Sequence, residues 1–241
     1  MPPVTEKTEI GHLPQVQDTR NPGMELDMDW VMRARANRSA IERRASTLPG
    51  RRSVKKDYQA AWLARAVSCI DLTTLAGDDT AGRVARLCAK ARQPVRADLL
   101  ESLGLDGLTV GAVCVYHDMI APAVAALEGS GIPVAAVSTG FPAGLSPMHL
   151  RVAEIEESVK AGAEEIDIVI SRRKVLTGDW QGLYDEMRAF RAACGPAHVK
   201  AILATGELGT LQNVARASLV CMMAGADFIK TSTGKESVNA T

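Results

Sequence analysis

The sequence lacks an excess of either charge. Its 28 Lys and Arg offset 28 Asp and Glu, which argues against a general binder of nucleic acid or of membrane surfaces. No apolar run approaches the roughly eighteen residues of a membrane span. The opening stretch, MPPVTEKTEIGHLPQVQDTRNPG, has no apolar centre of the kind a signal peptide carries. Paired cysteines are missing too: five occur (Cys69, Cys88, Cys114, Cys194, Cys221), odd in number and never in a CxxC. That usage suits reduced, mostly buried thiols. The four histidines show no metal-ligand spacing. The expectation is therefore a cytoplasmic protein with no metal, no cofactor and no nucleic-acid or membrane partner.

What is present is a rhythm. Hydrophobic residues make up 46% of the chain, enough for a sizeable core. The polar, Pro-containing residues 1–25 read as a disordered lead-in. Residues 26–60 read as a helical extension outside the main core, with RRSVKK at 51–56 as a basic linker. From residue 61 short apolar stretches recur: AVSCIDL (66–72), TVGAVCVY (109–116), PVAAVST (133–139), EEIDIVI (164–170), HVKAILA (198–204) and ADFIK (226–230). They are nearly continuous rather than alternating, as parallel strands covered on both faces should be. Helical faces lie between them, one carried by Trp180, Leu183, Met187 and Phe190. In SPMHLRVAEIEESVKAGA, Ser146 reads as an N-cap with Pro147 at the first helical position. Two joins, Ala161-Gly162-Ala163-Glu164 and Ala224-Gly225-Ala226-Asp227, each end a helix at a glycine and start a strand. Units of about thirty residues favour a TIM (β/α)8 barrel over residues 61–241, of which only about six β/α units are present. A doubly wound sheet would announce a Gly-rich turn after its first strand, and IDLTTLAGDD is not GxGxxG.

Four charged residues interrupt these apolar strands: Asp71, Asp167, Lys200 and Lys230. On the outer face each would be buried in hydrocarbon, so they are expected to meet in the barrel lumen. A structural ion-pair network would explain an isolated Asp–Lys pair; four such residues from four strands point to a catalytic site. Lysine in a low-dielectric pocket beside a second cation has a depressed pKa and can attack a carbonyl to form a Schiff base. Lys230 is the candidate nucleophile, Lys200 its cationic neighbour, and Asp167 or Asp71 the proton shuttle. The tail Thr231-Ser232-Thr233-Gly234-Lys235 offers hydroxyls, a glycine and a cation, a composition that can hold a phosphate. Cys114 in VCVY reads as a packed thiol, and His117 and the cations of ISRRKVL (170–176) read as loop residues open to substrate or solvent.

The blocks IDLTTLAGDDT, VCVY, GFPAG, EEIDIVISRR, LATGELG and ADFIKTSTGKESVNAT, in this order, resemble the deoxyribose-phosphate aldolases in their eukaryotic-like form. The resemblance runs from about residue 25 to the last residue. It implies a class I aldolase on a TIM barrel, cleaving 2-deoxy-D-ribose 5-phosphate to glyceraldehyde 3-phosphate and acetaldehyde in deoxyribonucleoside catabolism. It implies Lys230 as the Schiff-base lysine and Asp167 as proton donor and acceptor, with Lys200 and Asp71 in the lumen. Thr233, Gly234 and Lys235 fall on the phosphate side; Thr73 and Cys114, in DLTTL and VCVY, complete the candidate substrate-binding set. The expected partner is a small phosphorylated sugar, with a homo-oligomer as a further expectation. Two departures stand out. His117 replaces the family's proline, and the family's seventh strand with a second lysine in GFKPAGG and its eighth with a Gly-Ala-Ser loop have no counterpart here. The expectation is a chain weakly active and unstable as a monomer on its own; a catalytically inert remnant and another lysine-imine barrel are the alternatives.

Overall fold

The computed structural model describes residues 20–51 and 54–240. Three helices come first: α1 (Met28–Arg33), α2 (Arg38–Arg51) and α3 (Lys56–Val67). Six parallel strands follow, β1 (Asp71–Thr73), β2 (Ala112–Val115), β3 (Val134–Ser138), β4 (Glu165–Val169), β5 (His198–Ile202) and β6 (Phe228–Lys230), in one sheet of sequential order. The connections carry α4 (Ala81–Arg92), α5 (Ala97–Leu103), α6 (Ile120–Leu127), α7 (Met148–Lys160), α8 (Arg172–Thr177), α9 (Trp180–Cys194) and α10 (Leu211–Met223). Sequential parallel order with helical crossovers is the winding of a β/α barrel. The six strands form a curled half-barrel, because Lys200 on β5 reaches Asp71 on β1 at 2.5 Å although three strands lie between them in the sheet.

The two faces of the sheet hold different residues. Val113, Val115, Val134, Ile166, Ile168, Val199 and Ala201 point outward into the main core beneath the helices. The alternate residues Ala112, Cys114, Ala135 and Val137 form a separate small cluster on the inner face, with Leu75, Tyr116 and Phe141 against it. Period-two alternation thus places bulk outside and small side chains inside, leaving room in the lumen for longer polar ones.

Several expectations need correction. Most of AVSCIDL is not strand: α3 runs through Val67, and Ser68, Cys69 and Ile70 donate back to Ala64, Ala66 and Val67. The alanine-rich run before them favours helix, so only Asp71–Thr73 pairs with β2. The boundary expected between residues 60 and 61 therefore falls inside α3. The extension is not wholly outside the core, because Val31 of α1 is fully buried. Of the lead-in expected over 1–25, residues 1–19 lie outside the described residues, whereas residues 20–25 dock on the barrel. Asn21 N–H donates to Asp227 at 2.6 Å and Met24 N–H to the Met223 carbonyl at 2.7 Å. Asp227 also takes the Val199 N–H and pairs with Arg191, so one carboxylate ties this segment, β5 and α9 together. Helix α7 starts one residue later than expected, with Pro147 as its cap. The two glycine joins form as expected, with Gly162 and Gly225 at φ of 105° and 102°.

The periodicity of α7 also conceals a charge. Arg151 faces inward and is buried with Glu186 of α9 at 3.0 Å. Its guanidinium donates to the Thr139 and Val169 carbonyls and to Ser171 Oγ, and it lies over the Phe190 ring. Each guanidinium nitrogen and each Glu186 oxygen has a partner, which offsets the desolvation of the pair. Arg151→Met is expected to strand the Glu186 carboxylate and lower stability by about 3–5 kcal/mol in chemical denaturation. A loss below about 1 kcal/mol would show that Lys174, at 3.4 Å from Glu186, neutralises the carboxylate without it.

Candidate active site

The register brings the strand charges onto one face of the sheet. Asp167 is opposite Lys200 in the β4–β5 ladder, and Lys230 is opposite Ile202, two residues further along β5. Residues two apart share a face, so all four project into the lumen. Asp167 has no exposed surface. One of its oxygens accepts from Lys230 Nζ, and the other lies 3.5 Å from Lys200 Nζ. Lys200 hydrogen-bonds Asp71 at 2.5 Å and pairs by charge with Glu165. The result is a lumen set of three carboxylates and two ammonium groups drawn from β1, β4, β5 and β6. Cys114 Sγ sits 3.9 Å from Asp167, on the neighbouring wall.

Burial pushes the Cys114 thiol up to about 12, and the adjacent Asp167 charge adds to the effect; the thiol is neutral and packed. Lys200 is lowered by burial but raised by Asp167, Glu165 and Asp71, which together hold it well above its ordinary value. For Lys230 the expected depression is not found. Burial and the Lys200 charge do lower its pKa, but Asp167 in direct contact outweighs both, and the ammonium is held above its ordinary value. The reason is distance: the carboxylate touches Lys230, whereas Lys200 is committed to Asp71 and Glu165. The nearest acceptor for the Lys230 proton is the Asp167 carboxylate.

Lys230 ends β6, with its side chain 31% exposed, and it borders a cavity of about 360 Å³ at the C-terminal ends of the strands. Thr73, Val137, Phe141 and Ile202 wall this cavity, and Ser232, Thr233 and Gly234 rim it. Thr73 ends β1, and its hydroxyl donates to the Asp71 carbonyl. Gly234 has φ of 80°, where a side chain would be strained. Lys235 N–H donates to Thr233 Oγ1, and Lys235 Nζ reaches across to the Leu75 carbonyl, fastening the loop to the segment after β1. The N–H groups of Thr233 and Gly234 are engaged by the Glu236 carboxylate at 2.9–3.1 Å. The loop thus holds an anion, its own. A larger opening, about 1180 Å³, lies toward the strand N-termini beside Glu165, His198 and Lys200, and Lys230 and Thr73 border it as well.

All nine residues singled out in the sequence lie in or beside this lumen. His117 does not: its Nδ1 meets Ser158 Oγ at 3.0 Å, toward α7. Of the cations in ISRRKVL, Arg172 pairs with Glu207 at 2.8 Å and Lys174 with Glu186. Three contributors escaped the sequence reading: Glu165, Phe141 and Glu236. Glu165 was legible in principle, since it precedes Asp167 by two and must share its face. Phe141 lies in a loop, where no periodicity applies. Among the described residues no His, Cys, Asp and Glu cluster has the geometry of a metal site, and no helix is long and apolar enough to cross a membrane.

A sequence model described as DeoC/LacD family aldolase matches residues 65–241. The chain is 59% identical over 223 residues to the mouse (Mus musculus) protein named deoxyribose-phosphate aldolase, covering 91% of this chain and 70% of that one. Its identity to the human (Homo sapiens) protein of the same name is 57% over 225 residues, covering 92% of this chain and 71% of that one. Among solved structures it resembles the aldolase QR15, with a TM-score of 0.61 at 27% identity over 73% of this chain and 71% of that one. It also resembles a tetrameric deoxyribose phosphate aldolase from Aeropyrum pernix, with a TM-score of 0.58 at 25% identity over 71% of this chain and 66% of that one. With a match over most of its length, a parallel β/α half-barrel and lysines facing carboxylates in the lumen, this chain belongs to the DeoC/LacD aldolase family.

Proposed function

We propose that this chain is a class I aldolase that reversibly cleaves 2-deoxy-D-ribose 5-phosphate to glyceraldehyde 3-phosphate and acetaldehyde through an imine on Lys230. The observation that carries the reading is Lys230 at the mouth of the lumen, hydrogen-bonded to a fully buried carboxylate and bordering the cavity rimmed by Ser232, Thr233 and Gly234. In the resting pair the proton is on Lys230. Its transfer to Asp167 leaves a free amine, which attacks the C1 carbonyl. A proton passes from nitrogen to the new oxygen, protonated Asp167 then gives its proton to the carbinolamine hydroxyl, water leaves, and a protonated imine forms. The C2–C3 bond breaks as the C3 hydroxyl gives up its proton to the Asp167 carboxylate. The bonding electrons pass to the imine nitrogen, glyceraldehyde 3-phosphate departs, and an enamine of the two-carbon unit remains. Protonation at C2 and hydrolysis release acetaldehyde and restore the amine.

Lys200, held by Asp71 and Glu165, keeps a positive charge near the nitrogen and disfavours a second one there. The phosphate takes the Thr233 and Gly234 N–H groups in place of the Glu236 carboxylate, beside Lys235, with Thr73 and Cys114 lining the sugar path. The names of the mouse and human relatives support the substrate, and the tetrameric relative supports a homo-oligomer. Reduced thiols support a cytoplasmic setting, and the role is in deoxyribonucleoside catabolism.

Incubation with acetaldehyde and cyanoborohydride is expected to add an ethyl group to the peptide carrying Lys230 and to none in Lys230→Ala. Undiminished labelling of that variant would place the imine elsewhere. Asp167→Asn is expected to lower turnover roughly 10²-fold or more with little change in substrate affinity. The same change removes the charge that holds the Lys230 proton while burial and Lys200 remain, so the pH profile of trapping should move to lower pH. Near-normal turnover with an unmoved profile would return Asp167 to a purely structural role.

A further inference from the structure

From the contacts in the lumen we infer that Glu165, at the start of β4, is a positioning residue for the proton transfer at Lys230: it draws the Lys200 ammonium off Asp167 and so leaves that carboxylate to Lys230. Its consequence for turnover rests on the imine reading of Lys230, whereas its hold on Lys200 is measurable without that reading.

Lys200 stands among three carboxylates and does not share itself equally. Asp71 accepts from its Nζ at 2.5 Å, and the Glu165 carboxylate is in direct contact with it. The nearer Asp167 oxygen is 3.5 Å away, well beyond the length of a charge-assisted hydrogen bond. Asp167 Oδ1 is in consequence buried without a hydrogen-bond partner, while Oδ2 accepts from Lys230. An open oxygen on a buried carboxylate calls for an explanation, and the register supplies one. Lys200 is opposite Asp167 in the ladder, and Glu165 precedes Asp167 by two on the same face. The ammonium thus has two carboxylates of β4 within reach, and it lies on the first.

The charged groups facing Lys200 are Asp71 on β1, Glu165 and Asp167 on β4 and Lys230 on β6, with the neutral Cys114 thiol on β2 against Asp167. Beyond them His198, opposite Glu165, borders the wider opening together with Arg20, Arg65, Cys69 and the Arg191-paired Asp227. Without the Glu165 carboxylate, a Lys200 donor and the Asp167 Oδ1 acceptor would both be open, side by side. A move of less than about 1 Å closes that gap to charge-assisted length. Asp167, then bound by an ammonium at each oxygen, would hold the Lys230 proton less firmly and accept a proton less readily. No charge is stranded by the loss, because Asp71 and Asp167 still face Lys200 and Lys230. Glu165 therefore keeps Asp167 a strong acceptor by occupying its competitor.

The first measurement is the rate at which Lys230 reacts with fluorodinitrobenzene, a small neutral reagent attacked by the free amine alone, read by peptide mass on the full chain. Glu165→Met, which keeps the volume but offers Lys200 no acceptor, is expected to raise that rate at neutral pH about threefold or more. Glu165→Gln, which removes the charge alone, should act in the same direction. In a Lys200→Met background the change at Glu165 should add nothing, as expected of a residue that acts through Lys200. The second measurement is turnover of 2-deoxy-D-ribose 5-phosphate. Glu165→Met should lower kcat about threefold or more with KM little changed, because the carboxylate that takes the C3 hydroxyl proton has become a weaker base. Unchanged Lys230 reactivity in both variants, a rise that persists in the Lys200→Met background, or normal turnover beside raised reactivity would overturn the inference. Absence of both cleavage and imine trapping in wild type would overturn the imine reading instead, and the reactivity of Lys230 would still decide whether Glu165 holds Lys200.

Discussion

A carboxylate sealed from water between two ammonium groups is the constraint on which the rest of the lumen depends. Asp167 has no exposed surface, touches Lys230 and faces Lys200. A charge so placed is tolerable only with partners on both sides. Those partners come from the next two strands, β5 and β6, and the curl of the sheet adds Asp71, because it lets Lys200 on β5 reach β1. The small inner residues Ala112, Cys114, Ala135 and Val137 make space for the long side chains that meet there. Architecture and chemistry are therefore linked: a flatter sheet would part Lys200 from Asp71.

The same pairing changes how the lysine is to be understood. A depressed amine was the expectation, yet contact with Asp167 holds Lys230 charged. What the site offers is a short proton path from nitrogen to carboxylate, with Lys200 near enough to disfavour the proton's return and tied elsewhere by Asp71 and Glu165. Activation through a positioned acceptor differs from activation by cation crowding, and in the proposed reaction it gives Asp167 the proton movements at the nitrogen.

Around this centre the helices do more than cover the sheet. Arg151 and Glu186 carry a buried ion pair between α7 and α9. From that pair hydrogen bonds run to the ends of β3 and β4. The loops at the cavity are thus held from behind, through Thr139 and Gly140 on one side and through Lys235 and Leu75 on another. Function sits on loops, but their geometry is set by rigid elements beneath them.

The sequence by itself determined the parallel β/α architecture and the residues that meet in its lumen. Continuous apolar strands need cover on both faces, and a charge inside such a strand has nowhere to go but the lumen. Asp71, Asp167, Lys200 and Lys230 were legible for that reason, and the order of the blocks around them carried the family. Tertiary structure alone decided the partners and their consequences. Whether Lys230 faces a carboxylate or a cation more closely depends on strand register and sheet curl, which no local pattern encodes. The inward Arg151, the loop-borne Phe141 and the Glu236 carboxylate on the loop's own N–H groups escaped for a related reason. Each owes its role to groups brought near by the fold rather than by spacing along the chain.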